Sequence, residues 1–137
     1  MTTRPKLGAL AVCHDAGRFL LVQRAKAPDA GFWGFPGGHV EWGETVMMAA
    51  TRELHEETGI TATPQRILDW GEALTRDIAG DVTHHFVLAA VLLSDPAGTA
   101  IAADDACAVK WATLAEIDTL QTSARVAQVA RRALSSL

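Results

Sequence analysis

The chain has 137 residues and a formal net charge of −4, with 49% hydrophobic and 20% charged residues. That length buries a core without disulfide staples, and the expectation is one domain over residues 1–137. No apolar run reaches the roughly 18 residues of a membrane helix, and no basic stripe marks a nucleic-acid polymer as partner, Arg131-Arg132 being the one basic doublet.

The start, Met1 to Lys6, leads into an apolar run with no small-residue cleavage pattern, so no secretory leader is expected. Leu7 to His14 and Arg18 to Arg24 read as two strands joined by a turn at Asp15-Ala16-Gly17. Both are apolar almost throughout, which predicts cover on both faces of their sheet. A loop rich in Gly and Pro runs from Ala25 to Gly38. Glu44 to Thr58 holds no Gly or Pro and is rich in helix formers, and Gly59 stands where a left-handed cap would end a helix.

Beyond Pro64, Arg66 to Arg76 and Val82 to Ser94 read as strands around a turn at Ala79-Gly80-Asp81. Asp95 to Gly98 breaks the chain again, and Cys107 to Ala112 reads as a last strand. Thr113 to Glu116 has the spacing of a capping box and opens a short helix. Val126, Val129, Ala130, Ala133, Leu134 and Leu137 form one apolar face of a closing amphipathic helix. This order predicts an α/β fold, a mixed sheet between helices. Cys13 and Cys107 both lie in apolar segments and are expected to be buried, reduced thiols, which with the absence of a leader points to the cytoplasm.

The chemistry concentrates around one helix. Wound at 100° per residue, Glu53, Glu56 and Glu57 fall within about 100° of one another. Folding alone disfavours this set: Glu53 and Glu57 are a like-charge i, i+4 pair costing roughly 0.2–0.5 kcal/mol, and negative charge at a helix C-terminus opposes the macrodipole. A local rule broken without structural gain marks a functional site. A hard divalent cation reverses the account, because oxygen ligands on adjacent turns suit Mg²⁺ or Mn²⁺ and would join the cluster to phosphates. Such a cation also supplies the positive charge that an acidic chain lacks.

Gly38, Glu44, Arg52, Glu53, Leu54, Glu56, Glu57, Gly59 and Ile60 together resemble the Nudix box, G-x5-E-x7-R-E-U-x-E-E-x-G-U, at every specified position. Chance agreement is on the order of 10⁻⁸ per window. The wording around it is closest to small ADP-ribose-pyrophosphatase-like members. The resemblance implies a Nudix-type α/β/α sandwich. It further implies a metal-dependent pyrophosphohydrolase cleaving a nucleoside diphosphate linked to another moiety, with ADP-ribose favoured and a nucleoside triphosphate next. Carried over, Glu53, Glu56 and Glu57 would bind Mg²⁺, for which Mn²⁺ may substitute, with a backbone carbonyl of Gly37 or Gly38. Arg52 would orient Glu53, Glu44 would brace the loop, and Glu53 or Glu56 would take the proton from the attacking water. The alternative is a Nudix-fold module that binds a nucleotide without cleaving it; such modules usually lose box residues, and this box is complete.

Outside the box, Arg24 at a strand end is a candidate phosphate contact. Trp33 or Phe35 could stack on a base or ribose, packing being the role expected of at least one. One of His84-His85, with His85 preferred, could face the site, and Asp104-Asp105 could add an acidic ligand or base. Asp69 reads as a turn or surface acid, and Arg125, Arg131 and Arg132 as a solvated helix face. An exposed sheet or helix face could make a homodimer, though no residue pattern requires one.

Overall fold

The fold is a computed structural model whose described residues are 3–27 and 29–137. Strand β1 (Lys6–Asp15) turns back into β2 (Arg18–Arg24) through Ala16 and Gly17, at φ 50° and 80°. Two central residues at positive φ match the right-handed twist of the strands on either side. After β2, the Gly- and Pro-rich loop makes two short strands, β3 (Trp33–Gly34) and β4 (Gly37–His39). Helix α1 (Val46–Thr58) follows, capped by the Thr45 hydroxyl on the Met48 N–H and ended by Gly59 at φ 75°. A long hairpin, β5 (Thr61–Arg76) and β6 (Val82–Ala97), leads to β7 (Ala106–Thr113), the one-turn helix α2 (Leu114–Ile117) and α3 (Val126–Ser135).

β1 is the hub of the sheet. It pairs antiparallel with β2 and β4 and parallel with β6, along the order β3-β2-β1-β6-β5, while β7 joins β2. Alternation along β1 sends Ala9, Ala11 and Cys13 to one face, where Ala49, Ala50 and Leu54 of α1 cover them. Val12 goes to the other face, with Phe19, Leu21 and Leu92 under Ile117, Val129, Ala130 and Ala133 of α2 and α3. Two cores on opposite faces explain why β1 and β2 are apolar nearly throughout, and the α/β/α arrangement follows from them.

Several boundaries differ from those read in the sequence. α1 begins at Val46 rather than Glu44, because Thr45 takes the N-cap and frees Glu44 for the loop. β5 begins at Thr61 and runs through Pro64, which an edge strand tolerates where the register shifts between Pro64 and Arg66. Cys13 is buried as expected and its thiol is pushed up to about 12, by burial first and then by the charge of Asp15. Cys107, in contrast, is exposed near the start of β7, with its thiol over Gln23.

The C-terminal arginines are exposed, as expected of a solvated helix face, and make contacts at the surface. Arg131 pairs with Asp118 at 2.9 Å, and Arg132 Nε donates to the Leu68 carbonyl at 2.7 Å. Arg125 precedes α3 at φ 69° with no side-chain cap, and its Nη2 reaches Asp69 Oδ2 at 3.0 Å. For a non-glycine residue that backbone costs about 1–2 kcal/mol, and a missing cap about 1 kcal/mol more. A partly exposed ion pair returns only about 0.2–1 kcal/mol.

Candidate active site

The loop before α1 and the C-terminal half of the helix are drawn together by one side chain. Arg52 Nε and Nη2 donate to the Glu44 carboxylate at 2.8 and 3.0 Å, and Nη1 to Glu53 and Glu56 at 2.9 and 3.1 Å. Nη2 also donates to the His39 carbonyl at 2.9 Å. Glu44 accepts the Glu41 N–H as well, so the loop closes on itself before it meets the helix. The Arg52 guanidinium beside Glu44 holds that carboxyl below the usual carboxylate range. A planar five-donor fork suits this work; an ammonium in its place would reach fewer partners at fixed angles.

Glycine at 37 and 38 is a steric demand. A Cβ at Gly37 would stand 2.5 Å from the Ala9 carbonyl, so β4 could not lie against β1. A Cβ at Gly38 would collide with the Glu53 carboxylate. With that space clear, Glu53 lies directly on the backbone of β4, and Glu57 Oε2 accepts the Gly37 N–H at 2.8 Å. Glu57 is buried, and burial first pushes its carboxyl up to about 8 against the pull of the Gly37 N–H. The charge and hydrogen bond of Glu53 and the charge of Asp105 push in the same direction.

Two acidic groups in contact, one of them buried, beside backbone carbonyls make an all-oxygen donor set of the kind hard cations take. Among the described residues, no group of three or more His, Cys, Asp or Glu side chains is arranged to hold a metal ion. Mg²⁺ takes one or two carboxylates and leaves further positions to water and phosphate. Glu53 and Glu57, with the carbonyl of Gly37 or Gly38, therefore fit such an ion. Glu56 is turned outward onto Arg52, with 43% of its side chain exposed.

The remaining residues singled out in the sequence divide. Asp105 is near enough to Glu57 to raise it, while its own carboxylate pairs with Lys26 at 3.1 Å. The loop that carries it is tied to the end of α1, Ala103 N donating to the Glu57 carbonyl at 2.9 Å. Asp104 is exposed at φ 52°. Arg24 closes the loop, its N–H donating to Phe32 and its carbonyl accepting from Gly31. Trp33 is half-buried with Lys110 Nζ 5.9 Å above its ring. Phe35 is not a stacking surface: it is 7% exposed and packs edge-on against Phe19 in the core. His85 is half-buried, its Nε2 enclosed without a hydrogen-bond partner, and by register it shares a face with Leu74. His39 escaped the sequence reading: its carbonyl anchors Arg52 and its ring lies 5.1 Å from Phe86. Only its place one residue after the paired glycines hinted at this.

Comparison with known proteins places the chain among known sequences and folds. The protein is 43% identical over 65 residues to the phosphatase NudJ of Escherichia coli K12, a match spanning 47% of this chain and 42% of that relative. A MutT Nudix hydrolase from Burkholderia pseudomallei superposes at a TM-score of 0.81, with 29% identity over 95% of this chain and 98% of the other. A bifunctional NMN adenylyltransferase/ADP ribose pyrophosphatase from Francisella tularensis, complexed with AMP and a Mn ion, superposes at 0.76. Its identity is 25%, over 98% of this chain and 42% of that one. The NUDIX domain model matches residues 2–134, and the chain belongs to the Nudix family.

Proposed function

We propose that the protein is a divalent-metal-dependent pyrophosphohydrolase acting on a nucleoside diphosphate linked to another group, with ADP-ribose the favoured substrate and nucleoside triphosphates next. The observation that carries this reading is the Glu53–Glu57 pair against Gly37 and Gly38, with Arg52 holding Glu53 from outside. In this reading the whole chain is one catalytic domain. The relatives lend support in two ways: the Francisella tularensis protein is named as an ADP ribose pyrophosphatase and holds Mn, and the NudJ match falls on a phosphatase.

Glu53, Glu57 and a carbonyl of Gly37 or Gly38 would hold Mg²⁺ or Mn²⁺, with Glu56 joining once it leaves Arg52. When bound, the ion supplies positive charge to the phosphate oxygens and lowers the pKa of water. The chain's own residues then do the following. Arg52 fixes the Glu53 rotamer through its bond to Oε1, the kind of outer support that keeps a ligand in place. Water oxygen bonds to phosphorus, the bridging P–O bond breaks, and one product leaves as a monophosphate. The water proton would pass to a carboxylate, Glu53 or Glu56 from the helix or an acid from another loop. Asp105, on the loop tied to the end of α1, would add negative charge near Glu57.

The test is phosphate release from a panel with Mg²⁺ or Mn²⁺ against an EDTA control: ADP-ribose, other nucleoside diphosphate sugars, NADH, dinucleoside polyphosphates and triphosphates. A coupled phosphatase shows whether the products are monophosphates. Metal-dependent cleavage of one class supports the reading. Binding without turnover across the panel would sink it and leave a nucleotide-binding module.

A further inference from the structure

β5 is the outermost strand of the sheet, paired on one side with β6. An open strand edge offers its N–H and carbonyl groups to any other strand, and folds usually blunt it with proline, bulges, charges or cover. The first half of β5 is blunted in these ways. Pro64 and register shifts at Thr61/Thr63, Pro64/Arg66 and Ile67/Asp69 break its line. The Leu68 carbonyl accepts Arg132 Nε at 2.7 Å, and Asp69 Oδ1 takes the Trp70 N–H at 2.9 Å. The second half differs. From Asp69 to Thr75 the register against β6 runs unbroken, with no proline and no lysine in the strand there.

The guarded half fixes the direction of the outer groups. Leu68 and Trp70 turn carbonyl and N–H outward, so by alternation Glu72, Leu74 and Arg76 do as well. The Thr75 carbonyl points the other way, accepting the Thr83 hydroxyl of β6. Two antiparallel copies of this edge exchange hydrogen bonds only with an outward residue on the twofold axis. Centring on Trp70 sets Glu72 against Leu68, whose carbonyl Arg132 already takes. Centring on Glu72 sets two like charges face to face, which is destabilising. Centring on Leu74 sets Glu72 against Arg76 of the partner subunit at both ends, with Leu74 against Leu74 between them. Glu72, Leu74 and Arg76 are all exposed, and Arg76 Nη1 on the Gly80 carbonyl braces a guanidinium that has further donors. The same register carries Ile78, fully exposed at the hairpin tip, toward the partner's Trp70, itself half exposed.

We propose that Glu72 to Arg76 is an interaction edge whose partner is a second copy of this chain, added antiparallel about a twofold axis at Leu74 so that two sheets join into one. A closed twofold contact needs a surface complementary to itself. The order Glu-Ala-Leu-Thr-Arg has that property: acid, apolar centre and base, which reversed meets its own complement. Main-chain hydrogen bonds between the edges supply attraction, and the charges at either end set the register. A foreign extended peptide would need no such order in the edge that receives it. The inference is independent of the hydrolytic reading, since none of these residues belongs to the carboxylate site.

The experiment is sedimentation velocity on the full chain over a concentration series, with circular dichroism to check each variant's fold. Wild type should pass from monomer to dimer with a Kd on the order of 10 µM, since the contact lies at the small end of specific interfaces. L74K, at a position 47% exposed in the monomer, should keep its fold and stay monomeric. E72R and R76E should each raise Kd about tenfold, because like charges then meet at both ends. The exchanged pair E72R/R76E should return Kd to within about threefold of wild type, because the same two charges meet again. L74C in a C107S background should oxidise to a disulfide-linked dimer, since the axis sets the two Cα atoms about 5.5 Å apart. Wild type that stays monomeric up to about 1 mM overturns the proposal. So does a dimer kept in folded L74K, or an exchanged pair no tighter than the single variants. If L74K loses its fold, L74C/C107S decides: a covalent dimer sustains the edge contact, and its absence overturns it.

Discussion

Glu53 and Glu57 illustrate how a carboxylate pair that harms an isolated helix becomes useful in a fold. Burial first, and then the contact with Glu53, pushes Glu57 up to about 8, and a divalent cation offsets both penalties together. Glu53→Gln and Glu57→Gln keep shape and hydrogen bonding yet lose the charge. Support residues around metal ligands cost 10–100-fold when removed, so each ligand variant should lower kcat by more than about 100-fold at an unchanged circular dichroism spectrum. Wild-type-like turnover in either would end the ligand assignment.

Glu44 titrates in the other direction. Its carboxyl is held below the usual value by the Arg52 hydrogen bond, so its contribution to stability is complete above about 4.5, the ordinary value for the group. It is lost as pH falls through the lower, folded value. Glu44→Gln should therefore flatten the decline of Tm with acid below that point; an unchanged slope would show that other carboxylates govern it. The cysteines give a third check at this scale. Cys13 is buried with its thiol pushed up to about 12, and Cys107 is exposed, so a thiol reagent should label one group in the native protein and two after denaturation.

At the scale of elements, the site depends on where α1 stops. Gly59 at φ 75° returns its N–H to His55 and lets the chain leave for β5, while Ile101 and Ala103 bond back to Thr58 and Glu57. The nearest atom to a Cβ at Gly59 is the Thr99 carbonyl oxygen at 3.8 Å, so the space is open. Gly59→Ala should then cost only the left-handed backbone, about 1–2 kcal/mol, or roughly 3–10 °C in Tm. A larger loss in a melting curve would mean the loop from Gly98 to Asp105 is displaced as well. The helix, its C-terminal glycine and the strands with their turns were legible in the sequence because they are local: period, cap and turn chemistry act within a few residues. The N-terminal boundary was not, since Glu44 looks helical by propensity and was claimed instead by Arg52, eight positions away. Pro64 hid the start of β5 in the same way, because only the sheet order reveals that β5 is an edge.

For the whole molecule, no described helix is long and apolar enough to cross a membrane, and the sheet divides two cores that the helices close from either side. Binding of a cation to the folded state alone should raise stability by about 2.7 kcal/mol at one hundred times its Kd. Thermal melts with millimolar Mg²⁺ should therefore shift upward by several degrees and return with EDTA. A melt indifferent to Mg²⁺ in wild type would count against the carboxylate site as a cation site, and the same shift kept in Glu57→Gln would count against that residue.

The sequence by itself determined the box, its spacing and the helix that presents it, because those features are carried by neighbours along the chain and violate local preferences in a recognisable way. It also determined that β1 and β2, apolar nearly throughout, are covered on both faces. Only the tertiary structure decided which residues outside the box meet it. Phe35 went into the core against Phe19, His39 was drawn to Arg52, Cys107 came to the surface, and Arg125 crossed from α3 to Asp69 over Gly71. Each of these depends on strand order and register, which join positions tens of residues apart, and no local pattern encodes the distance between them.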